Sequence, residues 1–415
     1  MTRASFLAPF AVRSFRFQWP ADLATSWAFE MENLILGWYI LERTGSVQQL
    51  VTFAALVWLG SVFSPFFGIA GDRVGFRALL CWTRAAYGVL AAILTALTLA
   101  GALQPWHIFA IAALSGLMRP SDMVMRNVLV AQTMQPQLLM GALGIARTTS
   151  DTARIFGALA GTGGVALLGM GRAYIAVTLL YVLAFALSLG VAGPVRRASG
   201  RAGEAASEAL KSLKLAASYV WTHPDQLGAF SIAFLVNLLA FPFVQGLLPY
   251  LAKDVYATDQ AGLGYLAASF AVGSLVGSLV LGIGRFPMRA GRLMLAASAV
   301  WFAATLLLGQ VPSMHVGLAL LFVSGVAQSL CMTPLAAVML RAASEEMRGR
   351  VMGMRMLAIW GLPLGLLAAG PLIARAGYSA STLAYAGIGL AATFAIGYRW
   401  RLALWHPAAA ANSSP

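Results

Sequence analysis

Charge is scarce in this chain, and acid is scarcer than base. Of its 415 residues only 10% are Asp, Glu, Lys or Arg, against about 25% in a soluble domain. Lysines and arginines number 28 and acids 14, a formal net charge of +14. That excess is not a nucleic-acid footprint, because the basic residues sit in short loops between apolar runs and form no stripe. No nucleic-acid partner is expected. Cysteine is nearly absent: Cys81 and Cys331 both fall inside apolar runs. They make neither a disulfide framework nor a metal-ligand cluster, and they read as small buried hydrophobes. The histidines, His107, His223, His315 and His406, lie at run ends or in loops. No G-x-x-x-x-G-K-[ST] loop is present, so ATP-driven transport has no support. No nucleophile–base pair stands out. An enzyme is therefore not expected, and neither is a cofactor or a metal.

What is abundant is apolar surface. Sixty per cent of residues are apolar, which predicts an all-α integral membrane protein. Twelve runs are long enough to span a bilayer at roughly 20 residues each. They are Pro20–Leu41, Val47–Ala70, Ala78–Ala100, Trp106–Val130, Leu139–Leu168, Tyr174–Gly193, Leu227–Tyr250, Gly262–Ile283, Leu293–Val311, His315–Leu340, Val351–Ile373 and Ser379–Trp400. Arg3, Arg13 and Arg16 precede the first run, and no small-residue cleavage site follows a short apolar core. The first helix is thus expected to be retained as an anchor. The Ala- and Ser-rich segment 406–415 is expected to be disordered.

Loop charges set the orientation. With the N-terminus in the cytoplasm, eighteen loop lysines and arginines face the cytoplasm, and only Arg43, Arg172, Lys253 and Arg375 face the other side. Both termini are therefore expected inside. The one long polar connection, Pro194 to Gln226, divides the chain into six-helix halves at 1–193 and 227–405. The halves repeat. Ser115-Gly116 recurs as Ser324-Gly325, and Gly144 aligns with Gly353. Two related halves joined by a linker form a transporter architecture, with substrate sites near mid-membrane.

The loop between the second and third runs carries the most specific signal: Gly68-Ile69-Ala70-Gly71-Asp72-Arg73-Val74-Gly75-Phe76-Arg77. It resembles the signature loop of the major facilitator superfamily, G-x-x-x-D-R-x-G-R-[RK], at Gly68, Asp72, Arg73, Gly75 and Arg77. It departs at Phe76. Other segments extend the likeness: Thr44-Gly45-Ser46, Arg119-Pro120, Leu138 to Ala142, Ala153 to Gly157, Leu248-Pro249, Gly262 to Gly264 and Arg348 to Gly353. Together they resemble the efflux branch that includes the bacterial enterobactin exporter, with Ala158 where that branch carries proline. The resemblance implies two pseudo-symmetric six-helix bundles in a bacterial cytoplasmic membrane and transport by alternating access. It also implies a conformational latch of Gly68, Asp72, Arg73, Gly75 and Arg77 with Asp122 and Arg126 from helix four. Asp72 would then face the start of helix eleven.

Ionisable groups inside a bilayer cost ~3 kcal/mol or more each unless paired or hydrated. The acids within the expected spans are Asp22, Glu30, Glu32, Asp122 and Asp151; the bases are Arg84, Arg119, Arg126, Arg147, Arg154 and Arg355. In helix one Trp27, Glu30, Asn33 and Gly37 share a face, and Glu32 lies on another. Glu30, Glu32 and Asp151 are the candidate proton-coupling carboxyls, with Glu30 favoured; a structural ion pair of Glu30 with Arg119 or Arg147 is the alternative. On helix five Arg147, Asp151 and Arg154 share a face. They suit either an internal salt ladder or the wall of an anion-binding cavity. Further cavity candidates are Asn237, Gln245, Gln328, Arg355 and Trp360.

The expected function is a proton-coupled exporter of a small organic molecule, such as a siderophore, drug or metabolite. An uptake symporter or a lipid transporter on the same scaffold is the alternative. Its expected partners are membrane lipids, protons and the small-molecule substrate, and a monomer is the expected state.

Overall fold

A computed structural model describes residues 8–63, 71, 74–192, 211, 214–283 and 288–405. Gly68, Asp72 and Arg73 of the signature loop lie outside the described residues, as do most of the expected linker and the C-terminal segment 406–415. Among the described residues every regular element is helical. The first half contains α1 (Arg13–Thr44), α2 (Val47–Leu56), α3 (Phe76–Leu99), α4 (Pro105–Thr133), α5 (Pro136–Leu168) and α6 (Met170–Ser188). The second contains α7 (Pro224–Leu239), α8 (Gln260–Ile283), α9 (Ala290–Leu308), α10 (Met314–Arg341), α11 (Glu345–Leu357), α12 (Gly361–Arg399) and a short α13 (Arg401–Trp405). Among the described residues seven helical segments are long and apolar enough to cross a membrane. The chain is an all-α, multi-pass membrane protein.

Local chemistry explains where the helices start and stop. Pro105 and Pro224 open α4 and α7, where a missing N–H costs nothing and the fixed φ suits the first turn. The seventh run is expected as one helix over Leu227–Tyr250, but it is broken. After α7 come short helices Phe241–Gln245 and Leu248–Tyr250 and a wide turn at Leu251–Val255. Pro242 and Pro249 interrupt it, since a proline within a helix removes a donor and crowds the preceding turn. The eleventh run starts earlier than expected, at Glu345, and tightens at Ala358–Trp360 before α12.

The internal repeat has a backbone signature. Gly169 ends α5 at φ 79°, ψ 161°, and Gly377 breaks α12 into two consecutive helices at φ 81°, ψ 169°. Only glycine adopts this conformation without strain. Gly116 and Gly325 are a second matched pair. A Cβ on Gly116 would collide with the backbone oxygen of Leu56, and one on Gly325 with that of Phe270. Each half thus brings two helices to backbone contact at the same place, a close approach that small residues permit in membranes.

The chain forms two compact units. The first comprises Met1–Ser46, Leu56–Ala206 and Thr258–Ala268; the second comprises Val47–Ala55, Ser207–Ala257 and Ser269–Pro415. This differs from a single cut at the linker, because α2 belongs mostly to the second unit and the start of α8 to the first. Within the first unit α1 packs on α5 and α6, and α3 packs on α4 and α6. Within the second, α9 packs on α10 and α12, and α7 packs on α10 and α12.

Gly116→Ala should lower the thermal unfolding midpoint of the detergent-purified protein, reflecting overpacking of about 1–3 kcal/mol. Gly163→Ala is the control, since a Cβ there meets nothing within 4 Å. Equal midpoints for the two variants would contradict the close contact of α4 with Leu56.

Candidate functional site

Four ionisable side chains meet in the first unit, three of them buried and Arg126 half-buried. Arg84 of α3 is 0% exposed. Its Nη2 donates to Asp22 Oδ1 of α1, and its Nε donates to Asp122 Oδ1 of α4 at 3.2 Å. Its Nη1 donates to Ser188 Oγ of α6 at 2.7 Å. Arg126, one helical turn after Asp122, pairs with Asp122 Oδ2 and lies 3.9 Å from Asp22 Oδ1. Its Nη1 also donates to Ser26 Oγ at 3.1 Å. Two acids meet two arginines, so the group is neutral overall, and charge-assisted hydrogen bonds use most of its donors.

Beside this cluster lies a cavity of about 110 Å³. Its walls come from α1 (Thr25, Ser26, Phe29, Glu30, Glu32), α3 (Tyr87), α4 (Ser115, Arg119, Asp122, Met123, Arg126), α5 (Ser150, Arg154) and α6 (Tyr181). Three arginines and three carboxylates line it, and each is held differently. Glu32 accepts hydrogen bonds from Tyr174 Oη at 2.6 Å and Tyr181 Oη at 2.7 Å. Asp122 is fixed by Arg84 and Arg126. Glu30 has the loosest tie, 3.6 Å from its Oε1 to Nε of Arg154, with the two side chains 23% and 30% exposed. Gly157 of α5 allows this approach, since a Cβ there would sit 2.9 Å from Cβ of Glu30. Arg119 packs its guanidinium over the rings of Phe29 and Trp58. Its Nε and Nη1 are buried without a hydrogen-bond partner among the described residues. A cation held by π-faces keeps its N–H donors available for an incoming acceptor.

The cavity gathers Glu30, Glu32, Arg119, Asp122, Arg126 and Arg154 from the expected site residues. Among the described residues Asp122 and Arg126 pair with each other and with Arg84 and Asp22; Asp72 and Arg73 of the signature loop, which they are expected to meet, lie outside the described residues. Arg77 of that loop donates to the Leu189 carbonyl at 2.6 Å. Glu30, expected to pair with Arg119 or Arg147, meets Arg154 where α5 crosses α1 at Gly157, and its charge also acts on Arg119. The side chain of Arg147 lies outside the described residues. Asp151 is buried on α5 but does not line the cavity. Trp27 packs near Phe156, with ring centroids 6.1 Å apart, and Asn33 is half-buried; neither lines the cavity.

The remaining candidates belong to the second unit. There Asn237 Nδ2 donates to the Ala233 carbonyl at 2.8 Å, and Gln328 Oε1 accepts from Ser274 Oγ at 2.8 Å. Both are occupied within their own packing. Gln245, Arg355 and Trp360 are half-buried.

Sequence reasoning gave no role to Arg84, Asp22, Tyr174 or Tyr181. A signal existed: Tyr174 and Tyr181 are seven residues apart, on one face of α6. Asp22 and Arg84 are ionisable groups inside apolar runs, and such groups need partners.

A helical bundle with a charged cavity inside a multi-pass membrane protein is consistent with a membrane transporter, and a superfamily match supports that class. The family model for the Major Facilitator Superfamily matches residues 19–369, and the chain belongs to that superfamily. No curated protein matches it. Several solved structures share the fold. The human organic anion transporter MFSD10 (TETRAN) is 16% identical with a TM-score of 0.66, covering 92% of this chain and 99% of that one. The nucleoside transporter NupG is 13% identical with a TM-score of 0.69, covering 93% and 99%. A POT family transporter in complex with 5-aminolevulinic acid is 11% identical with a TM-score of 0.73, covering 94% and 97%.

Arg84→Met should leave Asp22 and Asp122 buried with too few donors and destabilise the protein by about 3–5 kcal/mol, the usual loss on breaking a buried pair from one side. Thermal unfolding in detergent measures it. Adding Asp22→Asn should restore part of the loss. If Arg84→Met unfolds like the parent protein, the cluster is not what stabilises the unit.

Proposed function

We propose that this protein is a proton-coupled secondary transporter that exports a small organic molecule from a bacterial cell, lying in the cytoplasmic membrane with both termini inside. The observation that carries the reading is the contrast among the carboxylates at the cavity. Asp122 is clamped by two arginines and Glu32 by two tyrosine hydroxyls. Among the described residues Glu30 has one long ion-pair contact, 3.6 Å to Arg154, and its side chain is 23% exposed. Protonating Asp122 would strand Arg84, which is fully buried. Protonating Glu30 would release Arg154, whose side chain is partly exposed at the cavity, and remove a negative charge that acts on Arg119. In this reading Glu30 takes up the coupled proton, and its arrival releases Arg154 toward the cavity.

The cargo that suits this arrangement is an anion or a molecule rich in hydrogen-bond acceptors. Two buried N–H groups of Arg119 have no hydrogen-bond partner among the described residues, and in this reading Arg154 turns to the cargo when Glu30 is neutral. Binding of such a cargo and of a proton would then be linked, which is what exchange transport requires. The excess of lysines and arginines in one set of loops supports the orientation. The signature-loop latch is retained as part of this proposal through Gly75 and Arg77, with Gly68, Asp72 and Arg73 outside the described residues.

The test uses everted membrane vesicles holding a pH gradient reported by a quenched amine dye. A panel of small organic acids and polyols is added. The parent protein should dissipate the gradient with some compounds, and Glu30→Gln should reduce that response at least ten-fold. Thermal stabilisation by the same compounds should persist in the variant. Unchanged dissipation would remove Glu30 from coupling, and no response of the parent protein in either vesicle orientation would overturn proton-coupled transport of these compounds.

A further inference from the structure

The outer surface of the second unit carries a groove unlike the charged cavity. It has a volume of about 730 Å³ and runs between α9 and the end of α12, closed at one end by α13. Leu295, Ala296, Ala299, Phe394 and Gly397 make its walls. Phe394 and Tyr398 are 68% and 73% exposed, so the groove opens outward, where a multi-pass protein meets lipid. Its α13 end is basic. Arg292 lines the groove and places its guanidinium 5.5 Å from the ring centre of Trp405. Arg289, at the N-cap of α9, donates from Nη1 to the Trp405 carbonyl at 2.5 Å. Arg401 lies over the ring of Tyr398 at 5.0 Å. These three arginines are exposed, and no acid lines the groove. Within it, Thr393 is buried, yet its hydroxyl has no hydrogen-bond partner among the described residues. A threonine in a helix ordinarily bonds a carbonyl one turn back, so this hydroxyl is left with its hydrogen-bonding capacity unused.

The geometry points to a binding site for one anionic diacyl phospholipid. Its acyl chain lies along Leu295, Ala299, Gly397 and Phe394, and its phosphate sits between Arg292 and Arg289. Apolar walls alone would accept any lipid. The arginines add a preference for negative headgroups, as basic pockets between membrane helices do, and Trp405 is the aromatic residue expected at the level of the headgroups. Because Arg289 also holds Trp405, a bound phosphate would reinforce the contact between the start of α9 and α13.

Native mass spectrometry of the full-length, delipidated protein tests this. The probes are phosphatidylglycerol and phosphatidylcholine of identical acyl chains. Phosphatidylglycerol should be retained several-fold more than phosphatidylcholine. Arg289→Gln with Arg292→Gln should abolish that preference, while Arg43→Gln, on another surface, should preserve it. Ala296→Phe keeps every arginine and fills the groove, so it should lower retention of both lipids and serves if the double variant does not fold. Equal retention of the two lipids by the parent protein would overturn the proposal. So would a preference that survives the double variant, or retention unaffected by Ala296→Phe. Displacement of phosphatidylglycerol by inorganic phosphate at millimolar concentration would show a free-anion site instead and overturn it too.

Discussion

Two aspartates and two arginines that neutralise one another inside the bilayer organise the first unit. Asp22, Arg84, Asp122 and Arg126 join α1, α3 and α4, and Ser188 ties α6 to the same centre. An isolated ion at this depth costs ~3 kcal/mol or more, so each member needs the others, and the helices that carry them cannot separate freely. The cavity follows from that constraint. Arg119 is one turn before Asp122 on α4, and Glu30 and Glu32 are two to three turns after Asp22 on α1. Fixing the cluster therefore fixes the distance across which Glu32 reaches the tyrosines of α6, while the close packing of α5 on α1 at Gly157 brings Arg154 to Glu30.

Around this centre the packing is that of a membrane protein. With lipid outside, apolar side chains gain little by choosing each other over acyl chains, and close backbone approach replaces the hydrophobic effect as the source of specificity. Gly116 and Gly325 show this at equivalent places in the two halves, and Gly157 shows it where α5 meets Glu30. On the outside, the groove of α9, α12 and α13 turns the same principle toward lipid, with arginines where headgroups lie.

Much of the helix framework was legible from apolar runs, because the bilayer imposes a length and a composition on any segment that crosses it. The exceptions have local causes. Pro242 and Pro249 break the seventh run, and α11 begins before its apolar part because Glu345 and its neighbours form a polar first turn. The charged residues of the site were legible as individuals, but their pairing was not. On α5, spacing alone allowed Asp151 to pair with Arg154. In the structure Arg154 reaches across to Glu30, 124 positions earlier in the chain. Likewise Tyr181 reaches Glu32 over 149 positions. Helical periodicity reports which residues share a face, not which other helix that face will meet.

The amino-acid sequence by itself determined that this protein lives in a membrane, that its helices fall into two related halves, and that a handful of ionisable residues must be satisfied within them. Those properties are one-dimensional: they follow from composition, run length and the recurrence of glycines such as Gly116 and Gly325. Only the tertiary structure decided which carboxylate each arginine neutralises. It thereby left Asp122 and Glu32 tightly held and Glu30 loosely so, because ion pairing depends on distances of a few ångströms between helices remote in sequence.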